Sequence, residues 1–209
     1  AVGDIVDVTI SEDEQTGVIS KIHHRKNYLI RKSTKLSKAT QIIAANIDQV
    51  VIIVSLIKPR TSTGFIDRIL STSEAYHIPS VIIFNKFDLY DDKTISSLES
   101  LKKTYEKIGY KCLITSVPEK LRLTQFKAIL KGKISLLSGH SGVGKSALIN
   151  SIDSSLSLRT GEISDYHSKG IHTTTFANMF RLKFSGFVID TPGIKEFGLV
   201  EFEKVELGQ

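Results

Sequence analysis

The stretch KISLLSGHSGVGKSALINSI, residues 133–152, constrains the fold more than any other part of the chain. Its centre fits G-x-x-x-x-G-K-[ST] through Gly139, Gly144, Lys145 and Ser146. The residues before it are apolar and strand-like, and those after it have helical character. That pattern demands a buried strand, a tight loop and a helix in that order. Gly139, His140, Ser141, Gly142 and Val143 form the loop, whose N–H groups can turn inward around a phosphate. Gly144, Lys145, Ser146 and Ala147 open the helix, whose N-terminal dipole favours an anion. Lys145 has the reach for β- and γ-phosphates, which makes it catalytic as well as binding. Ser146 has the hydroxyl to ligate Mg²⁺.

The residues around this unit alternate strand and helix. DQVVIIVSL, SVIIFNKFD, YKCLITSV and KISLLSG read as strands. TGFIDRILSTSEAYHIP, TISSLESLKKTYEKIGY, LTQFKAILKG and KSALINSI read as helices, with MFRLKF and GFVIDTPG as the last strands. Strands this continuously apolar are buried on both faces, so the expected fold is α/β: an open, mostly parallel sheet with helices on both sides. To about Ile43 the pattern differs. DIVDVTI, GVISKI and YLIRK read as short β segments of a small OB-like barrel, incomplete at its N-terminus. The expected domains are therefore residues 1–43 and 44–209. So short a first unit buries little core alone and has to lean on its neighbour.

A phosphate loop does not choose between purines, but NKFD at residues 85–88 does. The Asp88 carboxylate can accept from the N1–H and N2 amino group of guanine, and adenine has no donor at either place. Each charge-assisted bond is worth about 1.5–3 kcal/mol. Asn85 can approach the purine O6/N7 edge and brace the loops, and Lys86 can lay its stem along the base. A third contact is expected from ITSVPEK, through Ser116 and the backbone of Val117. VIDTPG supplies Asp190 for Mg²⁺ through a water and the Gly193 N–H for the γ-phosphate. HTTT, residues 172–175, lies where a threonine completes Mg²⁺ coordination. Thr174 is preferred, with Thr173 and Thr175 open as alternatives. Where a Ras-like enzyme keeps a water-orienting glutamine, this chain has Ile194. His172 is the nearest group in sequence able to take over that role.

The parts of one GTP site are thus all present, in the order base reader, third loop, phosphate loop, Mg²⁺ threonine, D-x-x-G. That order is a circular permutation. The same elements can close the same sheet with a different connection cut.

Charge bears on partners. The 209 residues carry a net charge of +6, and the run from Lys21 to Lys38 contains no acid. Such a run suits a polyanion such as RNA. The longest apolar run, VVIIVSLI, is too short for a bilayer, and the opening AVGD has no features of a leader. A single cysteine, Cys112, excludes an internal disulfide, and its apolar surroundings suggest an inert thiol in a reducing cytoplasm. A monomer with no membrane partner is expected. Two other functional readings stay open: an RNA-binding module with a static nucleotide pocket, and a regulatory GTPase with a protein partner and no ribosomal role.

The stretches RKNYLIR, QIIAANIDQV, NKFDL, GHSGVGKSALIN, TGEIS, KGIHTTT and DTPGIKEF together resemble the bacterial small-subunit-dependent GTPases called RsgA or YjeQ. Other permuted GTPases typically carry Pro-Asn where Ser141 and Gly142 stand here. The resemblance implies an N-terminal OB-fold barrel and a circularly permuted P-loop GTPase domain using GTP/GDP and Mg²⁺. It also implies a role in late maturation of the 30S subunit, with 16S rRNA contact and subunit-stimulated hydrolysis. The histidine matching His172 is the family's proposed catalytic residue, and an aliphatic residue matches Ile194. The family continues into a zinc domain. No ligands for one follow Gly193, so no zinc site is expected in this chain. Ile171 stands where a basic residue is common.

Overall fold

The computed structural model describes residues 1–11, 16–32, 40–156 and 177–190. Its centre is Gln49–Val54 (β5), buried along its whole length. The strand's two-residue period splits it between two cores. Val50, Ile52 and Val54 face one side; Val51 and Ile53 face the other. Thr63–Ala75 (α1) and Asp92–Lys107 (α2) cover the first side through Phe65, Ile66, Ile69, Leu98 and Tyr105. Leu123–Leu130 (α3) and Lys145–Ile152 (α4) cover the second through Phe126, Leu130, Leu148 and Ile149. Each such side chain stabilises the fold by about 1.5–3 kcal/mol through burial.

The sheet also contains Ser80–Phe84 (β6), Lys111–Ile114 (β7), Ile134–Ser138 (β8), Asn178–Arg181 (β9) and Phe187–Asp190 (β10). Its order is β7-β6-β5-β8-β10-β9, with β9 antiparallel and the remaining pairs parallel. The chain leaves β5 toward β6 and β7, then returns to lay β8 on the other flank. The boundary between β5 and β8 is therefore a topological switch point, where open α/β sheets form crevices at their strand ends. Local chemistry sets the helix limits. The Ser62 hydroxyl accepts from the Phe65 N–H at 3.3 Å and Asp91 accepts from the Thr94 N–H at 2.9 Å. Gly109, at φ +101°, follows the end of α2.

The N-terminal segments form two antiparallel pairs. Val6–Ser11 (β1) pairs with Thr16–Ile22 (β2), and Tyr28–Lys32 (β3) with Thr40–Ala45 (β4). The second pair leans on the large sheet as expected: Leu29 and Ala44 belong to its first core. Strand β4 runs past Ile43 to Ala45. The first pair differs from its sequence pattern. DIVDVTI alternates as if one face were buried, yet Val8, Ile10 and Val18 are each more than half exposed. A two-stranded ribbon has no second layer to cover it, so alternation alone buries nothing.

Candidate functional site

Because β5, β6, β7, β8 and β10 are parallel, their C-terminal ends share one edge of the sheet. Asn85, Thr115, Gly139 and the Asp190 end of β10 all arrive there, from segments far apart in sequence. The loop after β8 sits close against β5. A Cβ on Gly139 would lie 2.2 Å from the Ile53 carbonyl oxygen, so no other residue fits without moving backbone.

Asn85 ties this loop to its neighbours. Its side-chain amide donates to the Val143 carbonyl at 2.9 Å and accepts from the Thr115 hydroxyl at 3.0 Å. Its backbone N–H donates to the Val54 carbonyl at 2.8 Å. The approach is tight enough to require glycine at the next loop position: a Cβ on Gly144, at φ +98°, would be 2.4 Å from the Asn85 amide nitrogen. Asp88 lies in the 3₁₀ turn Phe87–Leu89 and accepts from the Ser116 hydroxyl at 2.6 Å. The structure thus links Asn85–Asp88, Thr115–Ser116 and Val143–Gly144 by direct contacts. Val117 packs its side chain against the second core, and its carbonyl accepts from the Lys120 N–H at 3.1 Å.

Charge at the site is concentrated in two buried groups. Lys145, 7% exposed, donates to the carbonyls of Gly139 at 2.7 Å and His140 at 3.0 Å. Burial holds its pKa below the usual lysine value, opposed by the Asp190 charge. Asp190 is 5% exposed, and burial pushes its carboxyl up to about 7 against the opposing pull of Lys145. Ser146, also buried, opens α4 beside Lys145. A buried carboxyl whose charged form is disfavoured, with a hydroxyl from the same loop edge, is a donor set that suits a hard divalent cation. Lys86 stands at φ +66° and donates to the Lys58 carbonyl; burial lowers its pKa as well.

This geometry joins the glycine loop after β8 to the Asn85–Asp88 loop after β6, in permuted order. A sequence profile for the RsgA GTPase family matches residues 22–200. The chain belongs to the RsgA GTPase family. Among its relatives, the small ribosomal subunit biogenesis GTPase RsgA of Flavobacterium johnsoniae is 50% identical over 209 residues, covering 99% of this chain and 64% of the relative. The protein of the same name from Phocaeicola vulgatus is 50% identical over 208 residues, covering 100% and 67%. Two solved structures share the fold. YjeQ from Thermotoga maritima has a TM-score of 0.70 at 35% identity, covering 92% of this chain and 60% of that one. YloQ, described as a circularly permuted GTPase, has a TM-score of 0.69 at 28% identity, covering 99% and 62%. The chain therefore spans 60–67% of the length of these four relatives.

Within this family fold, His172, Thr173, Thr174, Thr175, Gly193 and Ile194 lie outside the described residues, as does Ile171. The described part also holds contacts that no motif announces. Tyr90 donates its hydroxyl to the Asn85 carbonyl at 2.8 Å and accepts from the Leu56 N–H at 2.9 Å. Pro59 borders Gly142: a Cβ there would meet its ring at 3.5 Å. The His140 ring, expected to do nothing beyond what its backbone does, packs on Phe65 with centroids 4.1 Å apart. Its side chain anchors the loop to α1. No local signal in the sequence marks these residues, because each meets its partner only after the sheet has formed.

Proposed function

We propose that this chain binds guanine nucleotides with Mg²⁺ and hydrolyses GTP as a factor in late maturation of the small ribosomal subunit. The observation that carries the proposal is the Asn85 amide, bonded at once to the phosphate loop and to the third loop. A brace between those two loops supports reading them as the guanine reader and phosphate cradle of one nucleotide site. Asp88, held by Ser116, accepts from the guanine N1–H and N2 amino group, and Lys86 lies along the ring. The Val117 backbone adds a third contact. The loop N–H groups from Gly139 to Ala147 donate to the phosphates, with Lys145 on the β- and γ-oxygens. Ser146, Asp190 and a threonine of 173–175, Thr174 by preference, hold Mg²⁺, which supplies positive charge to those oxygens. The Gly193 N–H meets the γ-phosphate.

Ile194 cannot orient water, so hydrolysis depends on His172 and on stimulation by the subunit. The chain works in the cytoplasm as a monomer and contacts 16S rRNA through its basic N-terminal run. It combines an OB-like unit, residues 1–43, with a GTPase unit, residues 44–209. The relatives named above carry the ribosomal role in their names. Single-turnover hydrolysis with and without purified small subunits tests the proposal. GTP turnover should rise strongly with subunits, ATP turnover should not, and His172→Ala should lose the stimulation. Adenine nucleotides competing as well as guanine ones, or no response to subunits, would refute it.

A further inference from the structure

The edge of the sheet opposite the candidate site carries a second feature. Between Lys120 and Ile152 the sequence has no acid, and between Ala177 and Ile189 it again has none. In a chain with 28 cations and 22 anions, an average surface would mix the two signs. These two stretches are neighbours in space. The Gly132 N–H donates to the Ser185 carbonyl at 3.1 Å, and the Phe187 N–H to the Lys133 carbonyl at 2.8 Å. Lys127 lies over the Phe184 ring at 4.6 Å. α3 and the β9–β10 turn therefore form one surface, on which Lys127, Lys131, Lys133, Arg181 and Lys183 are all exposed.

None of these five enters an ion pair among the described residues. Two acids stand near this surface, Asp153 beside Lys183 and Asp48 within the field of Lys133, and each already holds other donors. Asp153 is buried and accepts from the Lys183 N–H and the Ser155 hydroxyl. Asp48 accepts from the Ile134 N–H and pairs with Lys26. Among the described residues Lys133 donates to the neutral amide of Gln49, at 3.1 Å. Through Lys26 and Asp48, this surface meets the basic N-terminal run at the start of β5 and β8.

We propose that α3 and the β9–β10 turn form a second docking surface for the phosphate backbone of structured RNA, continuous with the N-terminal run. The proposal rests on the RNA-contact reading above and extends it to a different part of the fold. Unpaired, exposed cations that release counterions are what a polyphosphate rewards. A protein partner would reward a central apolar patch, and none of the large exposed hydrophobic side chains among the described residues lies on this surface. Lys131, Lys133 and Lys183, at the C-terminal end of α3 and in the β9–β10 turn, lie by the N-terminal ends of β8 and β10, at the edge opposite the nucleotide loops.

The test is the double variant Lys131→Glu/Lys183→Glu, set against Lys93→Glu/Lys103→Glu on α2, which changes net charge equally. Binding to a fluorescent RNA duplex and to purified small subunits is measured across a salt series, with nucleotide affinity checked in parallel. The first variant should lose at least tenfold in affinity, with a log–log salt slope shallower by about 2, since each phosphate contact contributes about 0.9. The second should lose far less, and nucleotide affinity should be unchanged in both. Equal losses in the two variants would overturn the proposal. So would a loss seen only with a polyglutamate probe, which would assign the surface to an acidic protein. Wild-type protein that binds neither RNA nor subunits would remove the RNA-contact reading itself, and this proposal with it. Lys131→Ala/Lys183→Ala repeats the comparison without introduced acids.

Discussion

Replacing Tyr90 with phenylalanine isolates one hydroxyl that no motif contains. The ring, 8% exposed, keeps its packing, so no cavity forms. What is lost is the bond to the Asn85 carbonyl at 2.8 Å, the bond from the Leu56 N–H at 2.9 Å and a longer contact with the Ser55 hydroxyl at 3.3 Å. Two backbone groups are left without that partner in a largely buried setting. Each such loss costs about 1–3 kcal/mol, and water reaches the Leu56 side in part, so the low end applies. The expected destabilisation is about 2 kcal/mol, or roughly 4–8 °C in Tm for a chain this size. Part of that energy should reappear in binding. Asn85 carries the brace to Val143 and Thr115, and a carbonyl released from Tyr90 lets the whole residue shift. A GDP Kd weakened about tenfold corresponds to 1.4 kcal/mol of the total. Urea unfolding gives the stability, and titration with GDP and IDP gives the affinity. IDP lacks the N2 amino group, so the GDP/IDP ratio reports how well Asp88 is placed. A variant that merely misfolds in part lowers the active fraction and leaves that ratio alone. The reasoning is refuted if Tyr90→Phe matches the wild type in urea midpoint and in the GDP/IDP ratio.

Three further outcomes follow from the same geometry. Asp88→Ala should weaken GDP binding by at least a hundredfold, from two lost charge-assisted bonds at about 1.5–3 kcal/mol each, while leaving any ADP binding unchanged by calorimetry. Asp190 has its carboxyl raised to about 7 by burial, so the folded chain holds a proton there that the unfolded chain has released above pH 4. Its contribution to stability without Mg²⁺ should fall as pH rises from about 4 to 7 and then level off, a loss on the order of 2–4 kcal/mol. The difference in urea midpoint between wild type and Asp190→Asn across that range measures it, and a flat difference contradicts it. Burial pushes the Cys112 thiol up to about 12, so alkylation at pH 8 should run roughly a thousandfold slower in the folded chain than in urea. Equal labelling rates would show that the thiol is open to solvent and ionised normally.

Legibility in the sequence followed the range of the interaction. The apolar run of β5 and the glycine loop after β8 are local patterns, and both appear in the structure where their spacing places them. The junction of Asn85 with Val143 joins residues 58 positions apart, yet it was legible because two local motifs each imply the same ligand. Tyr90 with Leu56, and Phe65 with His140, have no such shared implication. Their partners are chosen by how helices settle on the sheet, and periodicity cannot see that. The β1–β2 ribbon shows the converse limit. Its alternation states which residues share a face, not whether anything covers the face, and Ile10 is 72% exposed.

The permuted order has a physical consequence that the strand order makes explicit. In a parallel sheet every strand delivers its C-terminal loop to the same edge, so a site at that edge depends on lateral neighbours and not on the sequence of connections. Moving β8 and β10 behind β5, β6 and β7 in the chain leaves β8 between β5 and β10 in space. What the permutation changes is covalent order: the Asn85–Asp88 loop is no longer downstream of the glycine loop. Side-chain bonds then have to hold the two in register. Asn85 does this with both ends of its amide, Gly144 yields the space, and Tyr90 fixes the carbonyl behind it. A brace of this kind transmits displacement. Val143 and Thr115 are held by the two ends of one rigid amide, so displacing either loop strains the bond to the other.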